Sequence, residues 1–386
     1  MKILWVNPSF LDYRIPVYKG IYDLSQADFY LLYSKKRVPE RIVEKIDLVL
    51  GDHAIGMEDE TILLIRGKGD FANTNFRFPY QKGLYKAISG VNADILISEG
   101  FFQWTPLALI HARLNKKKFL IAYERTAHTE RNCPRWRTRY RKFIMRFVDG
   151  YIVNGQLTKE YLMQMDVAED KIFTGAMSAD SENLAKEVNS CSFNKRNKLK
   201  SALSLGTGLI YLYVGQINER KGIIYLLNAW LKHSETYPTD SLILVGEGPL
   251  LDKYVSDFSS CKSIHFAGSI DYDLIPEYYA IADVFVMPTL EDNWSLVVPE
   301  AMACGLPIAC SIYNGCYPEL VHDGVNGLRF DPLDSTSFIE TLSYFHTIVR
   351  KQFGIKSKEI ESRFSADKVA EKIFQACCKV KETAHE

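Results

Sequence analysis

The chain has 386 residues, of which 47% are hydrophobic and 24% charged, and its formal net charge is zero. That length suits two globular domains, and the composition excludes disordered, collagen-like and low-complexity proteins. The balanced charge argues against nucleic acid as a partner, because nothing attracts the chain as a whole to phosphates.

Neither a membrane span nor a metal-binding cysteine pattern is found in the sequence. No apolar run approaches the roughly 20 residues that span a bilayer, and the first residues, MKILWVNPSF, make a poor signal peptide. The eight cysteines are scattered, with no CxxC pair and no spacing that suits zinc. The sequence therefore predicts a cytoplasmic protein with reduced thiols.

The first half of the chain alternates short apolar runs with amphipathic segments, which predicts a parallel sheet buried by helices on both faces. The predicted strands are Ile3–Val6, Phe29–Tyr33, Ile62–Ile65, Ile95–Ser98, Phe119–Tyr123 and Tyr151–Asn154. The predicted helices are Val17–Leu24, Tyr80–Ser89, Pro106–Asn115, Trp136–Phe147 and Thr158–Met165.

A polar and basic stretch, Ser190–Lys200, interrupts this pattern and is interpreted as a linker. The pattern then restarts, with predicted strands at Leu209–Val214, Leu242–Val245, Ile264–Ala267, Val284–Met287 and Ile308–Cys310. The predicted helices are Ile223–Lys232, Pro249–Phe258, Ile275–Ala282, Pro299–Cys304 and Ser335–Phe345. A second doubly wound domain is therefore expected, with its ligand beyond the carboxyl ends of the strands.

These patterns predict three regions. They are an N-terminal Rossmann-like domain at 1–188, a C-terminal Rossmann-like domain at 189–364, and a last amphipathic helix within 365–386. Packing of that helix back on the first domain is one option. Two such domains in tandem are expected to leave a ligand cleft between them.

Glycines and cations follow the predicted strand Leu209–Val214. Gly215 allows a tight turn and Gly222 a close approach, while Arg220 and Lys221 lie where a helix begins. This combination suits a phosphate or diphosphate. An ordinary strand–turn–helix with solvated charges fits the same residues, and the motif alone does not decide between the two interpretations.

Acids flank a short apolar run later in the same half. Glu291 and Asp292 follow the predicted strand Val284–Met287, and Glu300 lies in the first turn of the next helix. Carboxylates there can accept hydrogen bonds from sugar hydroxyls, and backbone N–H groups near Ser295 can hold a phosphate. A favourable helix-end charge, worth about 0.3–1 kcal/mol, explains Glu300 but not the neighbouring acid pair.

An ordered set of motifs in the second half resembles the signature of family 4 glycosyltransferases, retaining enzymes of the two-Rossmann GT-B fold. Asp292 is followed after seven residues by Glu300 and then by the run AMACGLP. The other matching segments are Gly215–Gly222, Gly246–Pro249 and Glu319–Leu328. In the first half the resemblance is weaker and rests on Tyr13–Pro16, Thr126–Thr129 and Asn154–Gly155.

The resemblance implies an α/β GT-B fold, with two doubly wound parallel-sheet domains facing each other across a cleft. It implies that the N-terminal domain at 1–188 binds the acceptor and that the C-terminal domain at 189–364 binds the nucleotide sugar. It implies that Glu300 binds the ribose hydroxyls of a nucleotide sugar, that Asp292 faces the donor sugar, and that Lys221, helped by Arg220, holds the diphosphate. His128 of the first domain would reach the reaction centre. The other residues expected at the donor are Gly215, Gln216, Gly246, Glu291, Ser295, Leu296 and Val297.

The implied reaction is transfer of a sugar, with retention, from a nucleoside diphosphate sugar to a hydroxyl of a saccharide or lipid-linked acceptor. A UDP-sugar is favoured, and the expected context is cell-envelope polysaccharide or glycolipid synthesis. The nucleotide sugar is a substrate, so neither a cofactor nor an essential metal is expected. Lys221, Arg220 and helix-end N–H groups would stabilise the departing diphosphate, and no side-chain base is assigned.

Two residues depart from the family pattern. Gln216 stands where the family most often has Arg, which removes a charged contact worth about 1.5–3 kcal/mol unless Arg220 replaces it. Asp292 is one methylene shorter than the commoner Glu, with Glu291 as a fallback. These departures keep open a non-catalytic nucleotide-sugar sensor or partner subunit. The ordered match disfavours an epimerase, and the lack of GxGxxG after the first strand disfavours a dinucleotide oxidoreductase.

Two further segments have alternative interpretations. Asp271–Asp273 has the D-x-D form of a metal site, but its place before a predicted helix indicates a cap. The basic, aromatic segment Arg135–Arg146, with Lys116–Lys118 nearby, suits an anionic membrane surface, which would make the protein peripheral at the inner face of the cell membrane. The alternative is a solvated helix whose core-facing aromatics are Trp136, Tyr140, Phe143 and Phe147.

Overall fold

The computed structural model describes residues 1–67, 69–175, 177–179 and 181–382, with only the backbone at 64–66. The chain divides into two compact units. The first comprises Met1–Ser178 and the chain from Phe364 onward, and the second comprises Ala179–Arg363. The division therefore falls earlier in the chain than the predicted boundary at 188/189. The end of the predicted last segment, beyond Glu382, lies outside the described residues.

The elements alternate in the βα manner that the apolar pattern predicts. The strands are β1 Ile3–Val6, β2 Phe29–Ser34, β3 Ala54–Met57, β4 Glu60–Arg66, β5 Phe76–Gln81, β6 Ile95–Glu99, β7 Lys118–Tyr123, β8 Gly150–Val153, β9 Ile172–Thr174, β10 Ile210–Val214, β11 Ser241–Val245, β12 Ile264–Gly268, β13 Val284–Met287, β14 Ile308–Ser311 and β15 Gly327–Phe330.

The helices show the same alternation. They are α1 Ile15–Leu24, α2 Glu40–Leu50, α3 Leu84–Val91, α4 Thr105–Leu114, α5 Arg135–Met145, α6 Gln156–Gln164, α7 Ser181–Ser190, α8 Phe193–Ala202, α9 Ile223–Thr236, α10 Leu251–Asp257, α11 Ile275–Ile281, α12 Val297–Ala303, α13 Tyr317–Leu320, α14 Ser335–Tyr344, α15 Arg350–Glu361 and α16 Ala366–Glu382. Among the residues with described structure, no helix is long and apolar enough to cross a membrane.

The first unit contains a parallel sheet whose described strands run in the order β3-β2-β1-β6-β7-β8-β9. Both faces are covered, so β1 is buried along its whole length. Ile3 and Trp5 pack on one face with α1, α2 and α16, and Leu4 and Val6 pack on the other with α3 and α4. This two-residue alternation is what a strand buried on both sides requires.

The second unit repeats this architecture with a parallel sheet in the order β12-β11-β10-β13-β14-β15, as far as the described ranges extend. Each sheet reverses its strand order once. The chain adds strands outward on one side and then returns to the other side of its first strand, so the reversal lies between β1 and β6 in the first unit and between β10 and β13 in the second. Ligands of doubly wound sheets bind at such reversals.

The predicted α/β fold with two Rossmann-like parallel-sheet domains is confirmed, with local corrections. The predicted strand Ile62–Ile65 lies in β4, which pairs antiparallel with β5 outside the parallel sheet. The helix predicted from Tyr80 starts only at Leu84, because Tyr80 belongs to β5. The predicted linker at Ser190–Lys200 is largely helical, since α8 begins after Ser192, whose side chain accepts a hydrogen bond from the Lys195 amide at 3.3 Å.

Candidate functional site

The turn after β10 holds the two cations that the sequence singled out. Arg220 and Lys221 lie in a short 3-10 helix, Glu219–Lys221, capped by Asn218, whose Oδ1 accepts from the Lys221 amide at 3.1 Å. Gly222 follows with φ of +67°, and a Cβ placed there would lie 2.2 Å from the carbonyl oxygen of Pro288. Only glycine fits, so the turn after β10 packs tightly on the chain that leaves β13.

The turn after β11 packs against the same region. The Gly215 amide donates to the Val245 carbonyl at 3.0 Å. A Cβ added to Gly246, where φ is +138°, would lie 1.9 Å from the carbonyl oxygen of Gly215. The predicted donor glycines Gly215 and Gly246 are therefore brought together at the carboxyl edge of the sheet.

Lys221 and Asp292 form a close ion pair across the strand-order reversal. The Lys221 Nζ lies 2.6 Å from Asp292 Oδ2, and the nearest guanidinium nitrogen of Arg220 lies 3.6 Å from the same oxygen. The side chains of Lys221 and Asp292 are only 11% and 13% exposed. Two cations thus converge on one carboxylate oxygen.

The loop that carries Asp292 is held by two neighbouring segments. The Arg220 guanidinium donates to the Glu291 carbonyl at 2.8 Å, and the Leu290 amide donates back to the Arg220 carbonyl at 2.9 Å. On the other side, the Asp292 amide donates to the Tyr313 carbonyl at 3.2 Å. The position of the acid is therefore fixed by backbone contacts as well as by its ion pair.

The start of α12 brings the remaining predicted donor residues to the same loop. The buried Ser295 donates its amide to Asn314 Oδ1 at 3.3 Å, and the half-buried Leu296 and Val297 begin the helix. The first N–H groups of a helix lack partners within it and so can bind an anion. Glu300 lies one turn further on, where its Oε2 accepts from the Tyr279 hydroxyl at 3.3 Å.

The charges of this site perturb the groups around them. Burial alone would raise the pKa of Asp292, but the attraction of Lys221 and Arg220 outweighs it, so the pKa is lowered. The ion pair therefore persists at neutral pH and is lost only as the pH falls through the lowered pKa of Asp292. Burial, aided by the nearby Asp292 charge, raises the pKa of the Tyr213 hydroxyl, which stays protonated and donates to the Gln216 carbonyl at 2.7 Å.

The two departures from the family pattern have different outcomes. Gln216 is exposed, and its side-chain oxygen accepts from Asn218 at 3.2 Å, so it supplies no charge. Arg220 does lie beside Asp292 and Lys221, as its proposed substitute role requires. Glu291 is buried rather than pointing to solvent, with 4% of its surface exposed.

His128 is distant in sequence from these residues and does not belong to their unit. It belongs to the first unit, in the loop after β7, where its carbonyl accepts from the Arg131 guanidinium at 2.6 Å. Thr126 and Thr129 fix this loop by exchanging amide-to-hydroxyl hydrogen bonds of 2.9 and 3.2 Å. The predicted reach of His128 to the reaction centre stays a prediction.

Sequence reasoning missed the segment after β14, which supports the whole loop. Asn314 is fully buried, and its Oδ1 accepts from the amides of Ser295 and Cys316. A Cβ on Gly315 would lie 2.1 Å from the Asn293 carbonyl. The dipeptide Asn314-Gly315 is a turn signal that was available in the sequence.

Possible metal ligands lie away from the donor loops. Asp271 and Asp273 are exposed. Asp273 lies inside a short 3-10 helix, Tyr272–Leu274, and the N-cap of α11 is Leu274, so the cap prediction for Asp273 is wrong. In the described ranges, the group able to hold a metal is His233, Asp240 and His346. Both imidazole Nε2 atoms lie within 2.9 Å of Asp240 Oδ2, which fits a hydrogen-bonded network.

The two sheets define the fold class of this chain, which is GT-B. Anabaena HepE, whose structure was solved in complex with UDP, matches with a TM-score of 0.75 at 16% identity, over 98% of this chain and 100% of that chain. Residues 208–347 match the family model described as Glycosyl transferases group 1. The predicted resemblance is therefore confirmed over this part of the second unit, which is similar to group 1 glycosyltransferases.

Curated relatives agree with this assignment over part of their length. The alpha-monoglucosyldiacylglycerol synthase of Acholeplasma laidlawii is 31% identical over 32% of this chain and 31% of its own. A protein of the capsule (cps) region of Klebsiella pneumoniae, described as an uncharacterized 41.2 kDa protein, is 24% identical over 66% of this chain and 68% of its own. The match thus spans about a third of the length of the Acholeplasma enzyme.

Proposed function

We propose that the protein is a retaining glycosyltransferase that moves a sugar from a nucleoside diphosphate sugar to a hydroxyl of a saccharide or lipid-linked acceptor. One observation carries the proposal. Lys221 and Arg220 converge on Asp292 at the strand-order reversal of a group 1 domain, where sheets of this kind bind ligands. The two adjacent cations suit a diphosphate, and the acid suits a sugar hydroxyl.

The chemistry needs charge stabilisation more than a side-chain base. When the bond from the sugar carbon to the diphosphate oxygen breaks, negative charge builds up on the leaving group. Lys221, Arg220 and the first amides of α12 are fixed in advance, so they stabilise that charge without rearranging. In a retaining reaction the acceptor attacks from the side on which the diphosphate leaves, and a departing phosphate oxygen can take the acceptor proton. Glu300 would hold the ribose.

A UDP-sugar is the favoured donor. The support is that HepE, which shares the fold, was solved in complex with UDP, and also with UDP and glucose. The acceptor is proposed to be a saccharide or glycolipid of the cell envelope, because the relatives include a glycolipid synthase and a protein of a capsule region. No metal is required in this proposal, since Lys221 and Arg220 supply the positive charge that a metal ion would bring to the diphosphate.

Peripheral contact with an anionic membrane is part of the proposal. On α5 the aromatic side chains of Trp136 and Phe143 are 50% and 55% exposed, so their interpretation as core residues is wrong. On α4, Ile110 and Leu114 are 49% and 71% exposed. Basic residues border these apolar side chains, and the exposed ones on and beside α5 are Arg135, Arg139, Lys142 and Arg146. Exposed apolar groups among cations are typical of helices that lie on anionic membranes.

Liposome flotation tests the membrane contact. Vesicles with anionic lipid should carry the wild-type protein at low salt, and neutral vesicles should not, because the exposed cations have nothing to attract them. Replacing Trp136 and Phe143 by Ala should weaken flotation. The matched control is Leu48→Ala, which removes an 87% exposed apolar side chain from α2. Equal flotation of wild type on both vesicle types, or on neither, contradicts this part of the proposal.

A non-catalytic nucleotide-sugar sensor or partner subunit is the second candidate. The observation that favours it is the Lys221–Asp292 ion pair, in which the predicted phosphate-binding and sugar-binding groups already have each other as partners. The exposed Gln216 at the family's arginine position points the same way. An enzyme of this kind usually releases some free nucleoside diphosphate without acceptor, whereas a sensor releases none.

Two measurements separate these candidates. A thermal-shift screen with UDP, GDP and their sugars should show a nucleotide that stabilises the protein, by about 2.7 kcal/mol at a hundred times its Kd. Turnover is then followed with that sugar, and Glu300→Ala should abolish turnover while the protein stays folded. Nucleotide stabilisation without any release of diphosphate from the sugar would favour the sensor. No stabilisation by any of these nucleotides contradicts both candidates.

A further inference from the structure

The first unit has a polar cluster at its own strand-order reversal. Asn7 directly follows β1, Glu99 ends β6 and Glu124 follows β7. Arg14, at the start of α1, is 5% exposed and lies 2.6 Å from Glu124 Oε1. The cluster therefore occupies in the first sheet the place that the Lys221–Asp292 pair occupies in the second.

Each of the two acids is held by one oxygen only. Glu99 Oε1 accepts from Trp5 Nε1 at 3.1 Å and from Asn7 Nδ2 at 3.2 Å, while Glu124 Oε1 receives the Arg14 guanidinium. Glu99 Oε2 and Glu124 Oε2 make no hydrogen bond to any described residue. Both side chains are half-buried, so neither is a fully solvated surface group. The protein thus fixes the orientation of two carboxyl groups and leaves an acceptor oxygen of each for a ligand.

The surroundings of Glu99 disfavour a charged carboxyl group, so packing alone does not explain an acid at this position. Burial raises the pKa of Glu99 to about 7, and the nearby Glu124 adds to the rise while Arg14 opposes it. A side chain needed only for packing would not require an acid here, since Gln has the same shape. Perturbed carboxyls at the carboxyl edge of a sheet are candidates for binding sites.

The charge of the cluster indicates what it binds. Two acids against one cation make a poor site for phosphate, in contrast to the two cations that converge on Asp292 in the second unit. Oriented carboxyl oxygens instead suit the hydroxyl groups of a neutral sugar, which donate hydrogen bonds. We infer that Glu99 and Glu124, positioned by Asn7 and Arg14, form a saccharide-binding site that orients the acceptor. This inference rests on the proposed function, because only a transferase needs a second sugar.

Saturation-transfer NMR tests the site without turnover. The probes are the methyl α-glycosides of glucose, galactose and mannose, each at tens of millimolar. At least one should receive saturation from the wild-type protein, and Glu99→Gln should weaken that binding about tenfold, because an amide N–H replaces the open acceptor oxygen. Glu99→Gln keeps the oxygen that accepts from Trp5 and Asn7, so the fold is expected to survive, and a melting curve checks it. Glu99→Asp, which withdraws the carboxyl by one methylene, is the second variant.

The controls separate this site from the donor site. Glu58→Gln removes an exposed carboxyl of the same unit, paired with Lys35, and should leave the signal unchanged. Glu300→Ala alters the proposed ribose site and should also leave it unchanged. If no glycoside gives a signal, or if Glu99→Gln and Glu99→Asp retain the full signal, the inference is overturned. Loss of the signal in Glu300→Ala also overturns it, because the sugar is then bound at the second unit. Since the donor is tested separately by thermal shift with UDP, failure of one test does not imply failure of the other.

Discussion

The two units place opposite charges at the same point of the same fold. In the second unit, Lys221 and Arg220 surround Asp292 after β10 and β13. In the first unit, Glu99 and Glu124 surround Arg14 after β6 and β7. Because both sets lie at a strand-order reversal, the fold decides where a ligand binds and the side chains decide which ligand it is.

The comparison also shows why one unit is easier to interpret from sequence than the other. A diphosphate demands cations and tight glycine turns, which leave a recognisable pattern such as Gly215 to Gly222. Many different arrangements of carboxyl and amide groups can form hydrogen bonds with sugar hydroxyls. Glu99 and Asn7 therefore carry no motif, although they lie in the corresponding position.

The largest expected effect comes from removing the donor-site cation. Lys221→Met should reduce turnover by roughly 10²–10³-fold, because the departing diphosphate loses a fixed positive charge. It should also cost roughly 1.5–3 kcal/mol of unfolding free energy, since the longer contact with Arg220 is then the only ion pair of Asp292 among the described residues. Steady-state kinetics and chemical denaturation measure the two effects.

Two control variants separate catalysis from stability. In the double variant Lys221→Met/Asp292→Asn the unpaired charge is gone, so stability should largely return while turnover stays lost. Lys35→Met in the first unit breaks an exposed pair with Glu58 and should cost less than ~1 kcal/mol. Recovery of turnover in the double variant would show that Lys221 serves only to neutralise Asp292.

The next effect compares two glycines with similar backbone conformations. Gly222 has φ of +67° and no room for a Cβ beside the Pro288 carbonyl, whereas Gly83 has φ of +75° and no atom closer than 4.0 Å. Gly83→Ala should cost ~1–2 kcal/mol for the left-handed conformation alone. Gly222→Ala should add ~1–3 kcal/mol of overpacking, measured by denaturation. Equal costs would mean that the turn after β10 is not held tightly against the chain after β13.

The pH dependence of stability offers a third test, confined to the first unit. Because the folded pKa of Glu99 is about 7, above its ordinary value, the folded state holds that proton more tightly. Its stabilising contribution is complete at low pH and is lost as the pH rises toward 7, by ~1–3 kcal/mol in all. Hydrogen exchange of β1 and β6 amides should show this loss in wild type and not in Glu99→Gln. A pH dependence that persists in Glu99→Gln would contradict the assignment to this group.

Sequence patterns predicted the long apolar strands and the donor residues, but not the pairing of those residues. Lys221 and Asp292 are 71 residues apart, and their contact depends on β13 lying beside β10. Short strands such as β3 (AIGM) and β15 (GLRF) have four residues each, and in both a glycine or a charged residue interrupts the apolar run. They form because a neighbouring strand and covering helices supply the contacts that their own sequence lacks.

The support of the donor loop was missed for a similar reason. Asn314 looks like an ordinary turn residue in the sequence, yet in the fold it is fully buried, and its Oδ1 accepts from the Cys316 amide of its own turn and from the distant Ser295 amide. Its role is set by where β14 ends, not by its neighbours in the chain. The fallback acid Glu291 is likewise buried, and its backbone carbonyl accepts a hydrogen bond from Arg220.

The smallest expected effect concerns acids that have no role in either site. Asp271 and Asp273 follow β12, away from the strand-order reversal, and both are exposed. Changing both to Asn should alter turnover by less than about twofold, as is usual for surface positions without partners. EDTA should leave turnover unchanged in wild type and variant alike. Loss of activity in EDTA with rescue by manganese, abolished by the two substitutions, would instead make this segment a metal site. A functional carboxylate would then lie away from the strand-order reversal. Position at the reversal would no longer distinguish functional carboxylates from other acids at a sheet edge.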